Sequence, residues 1–305
     1  MPKLLFIFNP HSGKGQIKNY LLDIIDIFTK AGYDVIARPT QAQLDAYDYI
    51  RLHGDEFDRV VVSGGDGTLN EGVKGLMTFD AENRRPLGYI PAGTTNDFAS
   101  TLNIPKNMLS AAQIAAGGTS FKCDIGDFNG TVFNYVAAFG AFTDVSYDTP
   151  QEIKNAIGHM AYVWEGIKRL SNLPSYHVRI KYDGGEIDKE VFLCIIMNTT
   201  SVGGILSPEK IMNVDLCDGL FEMIVFRQPT NMLEFQSVLI SLMKGEASGD
   251  GYFTVKSSRF EFSSEEDIKW TIDGEYGGEA SDSVIQVLPS AMTFIVNNNN
   301  LPKEL

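Results

Sequence analysis

No apolar run in this chain approaches the roughly 20 residues that a membrane-spanning helix requires, so no transmembrane helix is expected. The apolar start, Leu4 to Phe8 after Met1-Pro2-Lys3, is too short for a secretory signal peptide and runs straight into a glycine loop. Cysteine is scarce. Cys123, Cys194 and Cys217 are odd in number and widely spaced, which argues against a disulfide framework and against a zinc site. The four histidines are scattered, none in a ligand-like pair. Basic residues are also few, 25 against 39 acidic, giving a formal charge of -14. A field of that sign repels duplex DNA and disfavours permanent attachment to an anionic membrane, while leaving room for a local patch to touch one. A cytoplasmic protein without a nucleic-acid partner is the simple reading.

The 305 residues, 44% of them hydrophobic, suffice for one large domain or two ordinary ones. The first third alternates strand and helix signals. Leu4 to Phe8 reads as a strand covered on both faces, and Ile17, Tyr20, Leu21, Ile24 and Phe28 recur at helical spacing up to Ala31-Gly32. Val35 to Ala37, Arg59 to Val62 and Leu87 to Ile90 read as further strands, with a helix over Gln43 to Glu56. Such alternation predicts a parallel sheet with ligands at the carboxyl ends of its strands. Near Cys123 the pattern changes to short β-like segments: Val132 to Phe139, Tyr176 to Tyr182, Val191 to Met197, Leu220 to Phe226, Phe260 to Phe262 and Ile268 to Ile272. Two helices, roughly Glu152 to Leu170 and Thr230 to Met243, interrupt this second, β-rich region.

Three glycine-bearing loops each follow a predicted strand of the first region. Asn9-Pro10-His11-Ser12-Gly13-Lys14-Gly15 opens into a helix, where backbone amides can hold phosphate oxygens, although an ordinary strand-to-helix turn would look the same. It lacks Walker A spacing. Ser63-Gly64-Gly65-Asp66-Gly67-Thr68 is more telling, since three glycines in four residues admit a triphosphate close to the backbone. A carboxylate there implies magnesium on the nucleotide, or a role in orienting a nucleophile. The third loop, Ile90-Pro91-Ala92-Gly93-Thr94-Thr95-Asn96-Asp97-Phe98, repeats the theme of glycine, hydroxyls and a carboxylate at a helix start. Far downstream, Trp270-Thr271-Ile272-Asp273-Gly274-Glu275 sets two carboxylates around a glycine, suited to general-base work or to magnesium, and equally to a common turn.

Together these elements resemble the diacylglycerol kinase catalytic family, in particular the soluble bacterial, YegS-like lipid kinases. The three loops, Cys123-Asp124-Ile125-Gly126 and Asp273-Gly274-Glu275 stand in the family's order, so the resemblance spans nearly the whole chain. It implies an N-terminal three-layer α/β domain with a parallel sheet (residues 1–123), a C-terminal β-sandwich (124–289), a last strand at about 290–305 returning to the first domain, and ATP in the cleft between them. Asn9, Pro10, His11, Ser12, Gly13, Thr40, Gly65, Asp66, Gly67, Thr68, Leu69, Asn70, Glu71 and Thr94 would line ATP. Asp66, Asp97, Asp273 and Glu275 would be catalytic around magnesium, with Asp273 or Glu275 as proton acceptor. A separate magnesium site would use Asp215, Asp218 and Leu220. The activity implied is ATP- and magnesium-dependent phosphorylation of a lipid alcohol such as diacylglycerol. The partners implied are a lipid substrate met transiently at the inner membrane face and a second copy of the chain. An NAD kinase-like phosphotransferase and a non-catalytic nucleotide or lipid sensor are the alternatives. Asp66→Ala and Asp273→Ala are each expected to abolish transfer and leave the fold intact. The helix carrying Ile157, Met160, Ala161, Trp164 and Ile167, followed by Lys168 and Arg169, is a candidate lipid contact, though ordinary core packing is the blander reading.

Overall fold

In the computed structural model the described residues are 1–141, 174–201, 211–298 and 301–302, less scattered positions between 232 and 250. The expected helix over Glu152 to Leu170, with Lys168 and Arg169, lies outside them, as does much of the one expected over Thr230 to Met243.

The apolar run of β1 (Lys3–Phe8) is fully buried from Leu4 to Ile7, because it lies at the centre of a parallel layer. It is flanked by β2 (Asp34–Pro39) on one side and β3 (Arg59–Gly64) on the other, and β3 pairs in parallel with β4 (Leu87–Pro91). All four therefore end at one edge, where the three glycine loops emerge. Helix α1 (Ile17–Lys30) buries Ile17, Ile24 and Phe28 against this layer, the stripe its spacing predicts. Helix α2 (Asp45–His53) continues as a single 3-10 turn, Gly54–Glu56. Helices α3 (Asp66–Met77) and α4 (Asp97–Thr101) start at the second and third loops, and α5 (Met108–Gly117) is capped by Asn107, whose side chain accepts from the Ser110 amide.

The β-rich part comprises β5 (Thr119–Phe128), β6 (Thr131–Phe133), β7 (Val136–Gly140), β8 (Tyr176–Tyr182), β9 (Gly185–Met197), β10 (Phe221–Arg227), β11 (Tyr252–Ser257), β12 (Arg259–Ile272) and β13 (Glu275–Val296). Their pairings are antiparallel, and β13 joins the two parts by meeting β4 in parallel at Phe294 and Leu87. A second core gathers on Trp270, whose ring centroid lies 4.9 Å from those of Phe128, Phe139 and Phe262. Two strand expectations need correction. The run Val132 to Phe139 is broken at Asn134 and Tyr135, because the amides of 134–136 turn to the Asp273 carboxylate instead of to a neighbouring strand. Phe260 to Phe262 and Ile268 to Ile272 belong to one strand, β12, whose pairing with β13 shifts register between Ser263 and Ile268. Among the described residues no helix is long and apolar enough to cross a membrane.

Candidate active site

The three glycine loops pack directly on one another, which is what their glycines are for. A Cβ on Gly93 would lie 2.6 Å from Gly65 Cα, and one on Gly13 would lie 2.4 Å from the carbonyl of Ala92. Gly13 also has φ +56°, a conformation that glycine adopts without strain. Hydrogen bonds from Asn9 N to Ser63 O (2.8 Å) and from Ala92 N to Gly64 O (2.7 Å) stitch the first and third loops to the second. The third loop is closed by Asn96, in the left-handed region at φ +55°: its Oδ1 accepts from Gly93 N and its Nδ2 donates to Gly93 O, both at 2.9 Å.

The fourth element arrives from the β-rich part. Asp273 and Gly274, at φ +49° and +83°, form the two-residue turn between β12 and β13, the conformation that Asp-Gly favours in hairpins. This turn brings Asp273, Gly274 and Glu275 against Gly65, Asp66, Gly67, Thr94, Thr95, Asp97 and Tyr135 around one pocket of about 260 Å³. Its lining holds three aspartates, one glutamate and no basic side chain among the described residues.

The four carboxylates are held very differently. Asp273 is buried, and its Oδ2 accepts from Asn134 N (2.7 Å) and from Asn70 Nδ2, while Oδ1 accepts from the amides of Tyr135 and Val136 (both 3.1 Å). All four of its lone-pair positions are filled. Burial pushes its pKa up, against the pull of these donors. Asp273→Ala would leave three buried amides without an acceptor, which argues against the expectation that this change leaves the fold intact. Asp66, at the N-terminus of α3, is pushed up to about 6 by burial and by the neighbouring Asp97, against hydrogen bonds from backbone amides including Phe98. Asp97 is itself buried and accepts from Ser201 Oγ at 2.9 Å. Glu275 is exposed, with an oxygen 3.5 Å from the position a Cβ on Gly67 would take.

Of the expected nucleotide-lining residues, Gly65, Asp66, Gly67 and Thr94 lie on the pocket. Asn9, Pro10, His11, Ser12, Gly13 and Thr40 stand on the adjoining loops after β1 and β2. Thr68 is buried under Gly64, and the Leu69 side chain lies in the core. Asn70 is turned to Asp273, and the Glu71 carboxylate accepts from the amides of Leu44 (3.0 Å) and Ala46 (3.2 Å) at the start of α2. Tyr135, Ser201 and the amides of 134–136 were missed, because an aromatic or a serine at the end of an apolar run carries no motif.

Asp215, Asp218 and Leu220 share a separate loop. Asp218 Oδ1 accepts from Leu220 N at 2.9 Å, and Asp218 Oδ2 lies 3.4 Å from Lys256 Nζ. Asp215 Oδ1 accepts from Cys217 N. Lys256 also reaches Glu222 at 2.9 Å, a carboxylate that burial pushes up to about 7. No group of three or more His, Cys, Asp or Glu side chains is placed to hold a metal ion among the described residues. At the main pocket the donor chemistry nonetheless suits magnesium: Asp66 and Asp97 are adjacent carboxylates on its lining, and magnesium commonly takes one or two carboxylates plus substrate phosphates.

Comparisons with known proteins cover most of the chain. The diacylglycerol kinase catalytic domain model matches residues 3–128, and the YegS C-terminal NAD kinase β-sandwich-like domain matches 139–296. The chain is 36% identical to a diacylglycerol kinase of Bacillus subtilis (strain 168) over 283 residues, 91% of each protein. It is 36% identical to one of Staphylococcus aureus (strain bovine RF122 / ET3-1) over 276 residues, 90% of this chain and 86% of the relative. A crystal structure of a diacylglycerol kinase from Bacillus anthracis str. Sterne superposes with a TM-score of 0.76 at 26% identity, covering 98% of both chains. A second from the same organism reaches 0.82 at 30% identity, covering 98% of this chain and 96% of that one. The chain belongs to the diacylglycerol kinase family and is a lipid kinase.

Proposed function

We propose that the enzyme transfers the terminal phosphoryl group of ATP to the hydroxyl of a lipid alcohol such as diacylglycerol, with magnesium. The observation that carries this reading is the meeting of the three glycine loops with the Asp273-Gly274-Glu275 turn around one acidic pocket. Its volume, about 260 Å³, falls below the roughly 300–1,000 Å³ that encloses a whole small ligand. It suits the reacting ends of two substrates, with the rest of each lying outside, as expected for an enzyme whose second substrate sits in a membrane surface.

The division of labour follows from the carboxylates. Amides of the glycine loops and the N-terminus of the 12-residue helix α3 bind the phosphates. Asp66 and Asp97 would hold magnesium, which offsets negative charge on the transferring phosphoryl group. Glu275 is the proton acceptor for the lipid hydroxyl, because it alone of the four is exposed. Asp273, with every acceptor position occupied, holds the turn that aims Glu275. None of the chemistry is assigned to the Asp215–Leu220 loop, where a magnesium ion would rest on Asp218 and carbonyl oxygens beside the Lys256 ammonium.

The test is incubation with magnesium and γ-labelled ATP alongside diacylglycerol in mixed micelles, or NAD. Label in the lipid supports the proposal. Label in NAD favours a nucleotide-kinase reading, and ATP binding with no transfer to either favours a sensor.

A further inference from the structure

Two buried threonines, one from each part of the molecule, meet beside the pocket. Thr101, the last residue of α4, and Thr199, just beyond the end of β9, place their hydroxyl oxygens 2.6 Å apart. What each oxygen faces decides where the protons go. Thr199 Oγ1 donates to the carbonyl of Ser201 at 2.9 Å, so the proton between the two threonines comes from Thr101. Thr199 Oγ1 also accepts from Ser201 N at 3.2 Å, and Thr101 Oγ1 accepts from Thr200 N at 3.3 Å. One buried hydroxyl thus holds both backbone groups of Ser201 in a local turn.

That turn aims the Ser201 side chain. Its Oγ lies 2.9 Å from Asp97 Oδ1, and against a carboxylate oxygen the hydroxyl is the donor. Asp97 is the first residue of α4 and lines the pocket together with Asp66. Like charges this close repel, and a carboxylate with no fixed donor can turn about its Cβ–Cγ bond to ease the repulsion. A hydroxyl bonded to one oxygen restrains that rotation and favours the charged form. Helix α4 has five residues, and the segment Thr199 to Ser201 grips it at both ends, at Asp97 through Ser201 and at Thr101 through Thr199 and Thr200. Resting on the reading above that Asp66 and Asp97 hold magnesium, we propose that Ser201 is a positioning residue for phosphoryl transfer, its hydroxyl setting the Asp97 carboxylate for the metal from the β-rich side of the pocket.

The test is titration of manganese, followed by its EPR signal, into the nucleotide-free full chain as wild type, Ser201→Ala, Ser201→Thr, Asp97→Asn and the Ser201→Ala/Asp97→Asn double variant. Asp97→Asn identifies the manganese that belongs to the pocket. Ser201→Ala is expected to weaken that binding by about 10- to 100-fold, and Ser201→Thr, which keeps the hydroxyl, to recover most of the loss. In the Asp97→Asn background Ser201→Ala should change nothing further. Transfer by Ser201→Ala should recover as magnesium is raised, which a loosened fold would not do. The inference is overturned if Ser201→Ala binds manganese as tightly as the wild type, if Ser201→Thr is as weak as Ser201→Ala, if the loss persists in the Asp97→Asn background, or if added magnesium restores nothing. A wild type whose manganese affinity is untouched by Asp97→Asn overturns the assignment of magnesium to Asp97 itself, and this inference with it.

Discussion

Asn70 and Asp273 stand 203 residues apart in sequence and share a buried hydrogen bond, the Asn70 amide donating to Asp273 Oδ2. Asn70 lies one turn into the helix that starts at Asp66, and Asp273 begins the turn that ends in Glu275. The bond therefore ties the phosphate-binding element to the acceptor-facing element. The relative position of phosphate donor and proton acceptor rests on it and on the three amides that share the same carboxylate.

Asp273→Asn places an amide where four donors converge, so at least two of them lose their acceptor. Stability is expected to fall by about 2–4 kcal/mol, and transfer with it. Asn70→Ala removes one donor and leaves the three backbone amides paired, for about 1–2 kcal/mol. Urea unfolding of both variants checks the order. Wild-type stability in Asp273→Asn would dissolve the clamp.

Asp66 gives the magnesium-free protein a pH signature. Its pKa is raised from 3.8 to about 6 in the folded state, so the folded chain holds this proton more tightly than the unfolded one. The stabilisation it contributes is complete below pH 3.8 and is lost as pH rises through about 6. Asp66→Asn should flatten that part of the melting profile measured from pH 4 to 7 without magnesium. In turnover the ionised form is the one that can hold magnesium, so kcat/KM for ATP should decline below pH 6, approaching tenfold per unit. A flat profile would remove Asp66 from magnesium binding.

The contact between loops makes a glycine pair diagnostic. Gly93→Ala would put a methyl group 2.6 Å from Gly65 Cα and 2.8 Å from Asn96 Oδ1, forcing the second and third loops apart. About 1–3 kcal/mol of stability should be lost, with a raised KM for ATP. Gly117→Ala, at the end of α5 with nothing within 4 Å, should instead gain about 0.5–1 kcal/mol. Melting and initial-rate measurements on the two separate local crowding from a general effect of alanine.

The parts of this site legible in sequence were those built from local chemistry. Gly64-Gly65-Asp66-Gly67 betrays a phosphate loop because close approach demands glycine, and Asp273-Gly274 betrays a turn because both residues tolerate positive φ. What could not be read was the non-local pairing. That Asp273 receives four hydrogen bonds depends on Asn70 and on 134–136, and the interruption of the strand at Asn134 follows from the same bonds. Strand β13 went largely unseen, apart from Met292 to Val296, because Gly277-Gly278, Glu279 and Asp282 break its apolar pattern where one face is open. Glu71 looked like part of the phosphate motif, yet its carboxylate secures the first turn of α2, a partner 25 to 27 residues away.

The account is tested most directly by single-turnover transfer from labelled ATP to diacylglycerol in wild type and Glu275→Gln, with ATP affinity measured on the same samples. Glu275 is exposed, so the variant should keep its fold and its ATP affinity while transferring about 10²–10⁴-fold more slowly. Transfer at the wild-type rate by Glu275→Gln, or label passing from the wild type to water and never to lipid, would contradict it.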